Sequence, residues 1–125
     1  MKIDAALVLV IGLALSACAQ TNIQPMSKDT FKVSTVAAPA CGQNGARNVT
    51  FRTAAIEVIR RGGDKFIIVG DTANSEFWSG DHNQAMVVKV IPEGSAEARN
   101  ALSAREQLGP TWQEALAKGA PVTCD

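Results

Sequence analysis

The chain has 125 residues, and its 12 Lys and Arg are balanced by 12 Asp and Glu, with a single histidine. A neutral chain of this length supplies one modest core and lacks the strongly basic surface that nucleic acid demands, so nucleic-acid partners and a polybasic membrane contact are excluded. Aromatic residues are scarce, with four Phe, two Trp and no Tyr.

In chain order, Lys2 precedes an apolar run from Ala5 to Leu15, which ends in Leu15-Ser16-Ala17-Cys18. The run is shorter than the ~20 residues a spanning helix needs, and its basic and small-residue flanks are those of a removable signal peptide. The final four residues resemble the lipobox of bacterial lipoproteins. That resemblance implies a lipoprotein signal peptide over residues 1–17 and a mature protein beginning at Cys18. The Cys18 thiol would carry a diacylglyceryl group, and its amine a further acyl chain such as palmitate. Ala19, in place of an aspartate, implies delivery to the periplasmic side of the outer membrane. The partner implied is the lipid bilayer, held through acylated Cys18 at ~0.8 kcal/mol per buried methylene.

Residues 18–29 are mostly small or polar and read as an acylated Cys and flexible tether, with a reach of ~20 Å. The remainder, residues 30–125, reads as a single α+β domain. Phe31 to Val36 alternates as a half-buried strand, and a loop containing Pro39, Cys41 and Gly42 follows. The clearest helix spans about Ala46 to Arg61, with Phe51, Ala54, Ala55, Val58 and Ile59 on one stripe and Thr50, Thr53, Glu57, Arg60 and Arg61 opposite. Gly62-Gly63 ends it, and Phe66-Ile67-Ile68-Val69 reads as a buried strand. A polar stretch of about a dozen residues, too long for a tight hairpin, separates it from a strand over Gln84 to Ile91. Ser95 is placed to cap a helix running to Leu108, and Thr111 to open a short helix reaching Lys118. The expected order is strand, helix, strand, strand, with C-terminal helices packed on a small, mostly antiparallel sheet. The last helix is expected to cover the sheet face that the first leaves open, and the strand after Asp29 is a candidate edge for strand addition.

Two cysteines remain besides Cys18. In an oxidising periplasm the even pair Cys41 and Cys124 predicts a disulfide, whereas two cysteines without a nearby histidine make a poor zinc site. The segment Ala54 to Val69, an Ala-rich helix, a glycine turn and an Asp64-Lys65-Phe66-Ile67-Ile68-Val69 strand, is similar to one in small, uncharacterised envelope lipoproteins of Gram-negative bacteria. That resemblance implies shared architecture and carries no catalytic motif with it.

Chemistry-bearing residues converge only in the stretch from Asp71 to Asn83. Asp71, Asp81 and His82 there outline a hydrolase or metal-dependent site on paper, and Ser75 and Ser79 offer hydroxyls, but no nucleophile elbow or oxyanion motif accompanies them. The adjacent Phe77 and Trp78 offer either a partner-binding anchor or, as the ordinary expectation, aromatics of which one or both fold back onto the core. The expectation is a non-enzymatic binding or scaffolding role in the cell envelope, with an envelope protein or peptidoglycan as partner and no cofactor, metal or catalytic residue assigned. The alternatives are a small hydrolase or metal-dependent enzyme centred on Asp71, Asp81 and His82, and an accessory lipoprotein of a secretion or conjugation assembly.

Overall fold

The computed structural model describes residues 18–124, and the expected signal peptide lies outside them. Alternation of side chains builds its sheet. In β2 (Thr30–Ala37), Phe31, Val33, Thr35 and Ala37 are buried while Lys32, Ser34 and Val36 face away. In β4 (His82–Val90), Gln84, Met86 and Val88 follow the same rule. The two strands pair antiparallel, setting Phe31 opposite Val88 and Val33 opposite Met86, so large apolar side chains meet across the ladder. With β1 (Ala19–Pro25), β3 (Lys65–Ser75) and β5 (Leu102–Ser103) they form one antiparallel sheet of order β1-β2-β4-β3-β5. Three helices, α1 (Gly42–Arg60), α2 (Ala104–Leu108) and α3 (Trp112–Lys118), complete the α+β fold expected from the sequence.

The core lies between α1 and the sheet. Ala54, Ala55, Ile56 and Val58 of α1 meet Phe31, Val33, Phe66, Met86 and Val88, and Ala104, Leu108 and Ala115 close the cluster. A smaller cluster of Ala19, Ala37, Ala46 and Val49 surrounds the Cys41–Cys124 disulfide. The bridge anticipated from cysteine arithmetic is thus present, joining positions 83 apart in the chain.

Several expectations are corrected. Residues 19–25 are not part of a flexible tether but strand β1, paired along its length with β2. Ala19 and Ile23 alternate with Gln20, Asn22 and Gln24, and Ala19 is only 5% exposed. The strand after Asp29 is therefore internal, flanked by β1 and β4, and is not an edge. Thr50 and Thr53, expected on the wet side of the first helix, are buried. Their hydroxyls donate back to the carbonyls of Ala46 and Val49, and Thr50 also meets the Thr35 hydroxyl at 2.7 Å, so no polar atom is stranded. The supposed long loop shrinks to six residues of turn, because β3 continues to Ser75 and β4 begins at His82.

The C-terminal third also differs. No single helix runs from Ser95 to Leu108; a 3-10 turn over Ala96–Asn100 leads into β5, and Ser103 caps α2 by accepting from the Glu106 amide. Helices α2 and α3 join α1 on its own side of the sheet, packing against its core instead of covering the other face. That other face displays Gln20, Asn22, Gln24, Lys32, Ser34, Thr72, Asn74, Asn83 and Lys89. Its apolar members, chiefly Ile67, Val36 and Val87, are too few and scattered to bury a helix.

One turn holds sheet and helix together. Gly62, at φ +86°, ends α1, and the Gly63 amide donates to the Val58 carbonyl. A Cβ at Gly63 would stand 2.7 Å from Val90 Cγ1, a stiff, β-branched neighbour. Gly63→Ala should cost ~1–3 kcal/mol through overpacking, read as a lower urea midpoint. An unchanged midpoint would mean that the turn can move off β4 without loss.

Candidate functional site

One end of the sheet gathers nearly every residue that the sequence singled out. The register lines Asp71, Gln84, Ser75 and His82 along the helix-facing side beneath the first turns of α1, with Ser75 opposite His82 and Asp71 opposite Met86. There Gln43 and Arg47 reach down to them. Arg47 Nη1 lies 2.7 Å from Asp71 Oδ2, and the Gln84 side-chain amide donates to the other Asp71 oxygen. Gln43 donates to the Asn83 carbonyl at 3.2 Å and to Gln84 Oε1 at 3.4 Å, while its own carbonyl oxygen lies 3.2 Å from His82 Nδ1.

This network does not assemble a Ser-His-carboxylate triad. Ser75 Oγ stands 3.0 Å from His82 Nδ1, the same nitrogen that faces Gln43. A catalytic triad needs the second ring nitrogen oriented by a carboxylate. Among the described residues no carboxylate bonds the His82 ring: Asp71 is engaged by Arg47 and Gln84, Glu76 accepts from Asn83 Nδ2 at 3.0 Å, and the Asp81 backbone closes the turn. The trio Asp71, Asp81 and His82 is not brought together, and among the described residues no group of three His, Cys, Asp or Glu could hold a metal ion. What the cluster does is tie the β3–β4 hairpin to the start of α1. Sequence reading missed Gln43, Arg47 and Gln84; the signal present was Gln84, a polar residue at a buried position of an alternating strand.

Beyond this network the hairpin turn projects Phe77 and Trp78. They are 88% and 93% exposed, and their rings meet edge to face with centroids 5.1 Å apart. Edge-to-face contact fixes the pair as one apolar unit. The turn beneath it is tight, with the Glu76 amide donating to the Asp81 carbonyl at 2.8 Å and the Gly80 amide to the Glu76 carbonyl at 2.9 Å. The aromatic pair therefore stands on a rigid base.

Cys18 lies at the same end. The Cys18 carbonyl accepts from the Ala38 amide at 3.0 Å, Cys18 bridges Thr123, and the Ala19 amide donates to the Val122 carbonyl. Cys18, Gln20, Val36, Ala38 and Asp81 line one shallow groove, so the exposed Cys18 adjoins the hairpin turn.

The basic residues Arg60 and Arg61, at the opposite end, serve the fold. Arg61 bonds Glu57 at 3.0 Å and stacks over the Phe31 ring at 4.5 Å, and Arg60 donates to the Leu116 carbonyl. Arg52 is exposed on α1.

No protein-family model, curated protein or solved structure matches the chain. Among the described residues no helix is long and apolar enough to cross a membrane.

Proposed function

We propose that the protein is a lipid-anchored lipoprotein of the outer membrane, on its periplasmic side, acting through contact surfaces in a non-enzymatic binding or scaffolding role. The anchor rests on the Leu15-Ser16-Ala17-Cys18 motif. The contact role is supported above all by Phe77 and Trp78. A chain with only four Phe and two Trp leaves two of them almost wholly outside its core, on a braced turn. Exposed aromatics are costly to leave in water and dominate the energetics of interfaces, so their placement favours a partner.

Cys18→Ser should abolish acylation and leave uncleaved precursor, and a lipid-labelled product from that variant would refute the assignment. In a host deleted for the protein, His82→Ala should restore wild-type behaviour while the double variant Phe77→Ser, Trp78→Ser should not. The reverse pattern would overturn the contact role in favour of chemistry at His82.

A further inference from the structure

We propose that Phe77 and Trp78 form a second membrane anchor, entering the headgroup region of the same bilayer that holds Cys18. This rests on the acylation of Cys18 proposed above and names the partner met by the aromatic turn.

The argument begins with the missing slack. A dozen disordered residues would let the domain float ~20 Å from the lipid and tumble there. Instead Ala19, the residue after Cys18, is buried and hydrogen-bonded to Val122, and β1 starts at once. An acyl group on Cys18 therefore leaves the fold at a fixed point and holds one end of the sheet directly against the bilayer.

That end carries the apolar surface. Ala19 pairs with Ala37, Ala37 with His82, and His82 with Ser75, which places the Glu76–Asp81 turn on the same edge of the molecule as Cys18. A packing contact ties them further, since a Cβ on Gly80 would touch Pro39 Cγ at 3.2 Å, and Pro39 follows Ala38, the residue bonded to the Cys18 carbonyl. Among the described residues, four of the seven large apolar side chains left exposed lie at this end, including the three most exposed, Trp78, Phe77 and Val122 (71%), with Val36 (48%); Met26, Val69 and Leu102 lie elsewhere. Lys28 and the close of α1 at Arg60 and Arg61 lie at the other.

The residue types match the site. Tryptophan concentrates at the membrane–water interface because its ring is apolar and its indole N–H still reaches water and headgroups. Phe77 beside it adds apolar area without charge. The acyl chains on Cys18 secure residence but attach the domain at one point, and a second attachment fixes its orientation.

The test uses the native lipidated protein in phosphatidylethanolamine–phosphatidylglycerol vesicles whose acyl chains are brominated near the headgroup. Trp78 emission should shift to the blue and fall by about half. Trp78→Phe, at a fully exposed position that leaves the fold intact, should remove that quenching, since the remaining Trp112 is half-buried beside Arg105. Protein that carries lipid on Cys18 and floats with the vesicles, yet shows no quenching, or equal quenching in Trp78→Phe, would overturn the inference while leaving the acyl anchor standing. The turn would then be open to a protein partner. Absence of any lipid mass on Cys18 would overturn the anchor itself, and the orientation with it.

Discussion

Replacing Cys41 and Cys124 together by alanine is expected to cost ~4 kcal/mol, on the chain-entropy account of a long closed loop. The bridge ties the turn before α1 to the C-terminal segment across 83 positions, with Cα atoms 5.6 Å apart. Its surroundings make the loss worse. Gly45 lets the two cysteines pack on α1, since a Cβ there would stand 3.1 Å from Cys41 Cβ and 3.3 Å from Cys124 Cβ. The small cluster of Ala19, Ala37, Ala46 and Val49 offers little apolar area to hold that end once the bond is gone. The melting temperature should fall markedly in the variant and equally on reduction of the wild type. A coincident melting curve, or two titratable thiols at these positions in the native protein, would show that the bond contributes nothing.

Asp64→Asn should lower stability by ~3 kcal/mol at neutral pH, through loss of charge-assisted hydrogen bonds at a buried carboxylate. Asp64 follows the glycine turn and holds the C-terminal third in place. Its carboxylate accepts from the Ser103 hydroxyl at 2.8 and 3.0 Å and from the Arg105 amide at 3.0 Å, while its carbonyl accepts from the Ala104 amide. Burial alone would push its pKa up. The Arg105 amide, the Ser103 hydroxyl and the nearby charges of Arg105 and Lys65 outweigh that and leave it below 3.8.

The sign of the pH effect follows. A carboxylate depressed in the folded state contributes stability above its unfolded pKa, and that contribution is lost as the pH falls through the lower folded value. Urea titrations should therefore show wild type and Asp64→Asn well separated at pH 7 and converging below about pH 4. A gap that stays constant into acid would mean that the carboxylate charge plays no part.

Much of this architecture was legible because alternation and helical spacing are local. Phe31 to Val36 reads as a strand from its own residues, and Ala54, Ala55 and Val58 announce a buried stripe on α1. Thr50 and Thr53 misled because hydroxyls that bond back to their own helix can be buried without partners elsewhere, which polarity scales do not register. β1 was hidden for a related reason. Its only large apolar residue is Ile23, and what makes it a strand is its pairing with β2, supplied by residues beyond the following turn. The C-terminal helix boundaries failed on a long-range contact as well, since Leu102 and Ser103 are drawn into the sheet by Lys65 and Phe66.

The candidate site divides the same way. Cys18, the Cys41–Cys124 pair and Phe77-Trp78 stand out in sequence because their side chains are rare or conspicuously placed. That one end of the sheet brings them together depends on strand register, which no local pattern encodes. Register likewise keeps Asp71 from His82, since it lies opposite Met86, four positions along β4, where Arg47 and Gln84 take its carboxylate.

The bridge between Cys18 and Thr123 also bears on the order in which the fold closes. Cys18 meets Ala38 twenty positions on but Thr123 only 105 positions on, so this corner stays open until the last described residues are in place.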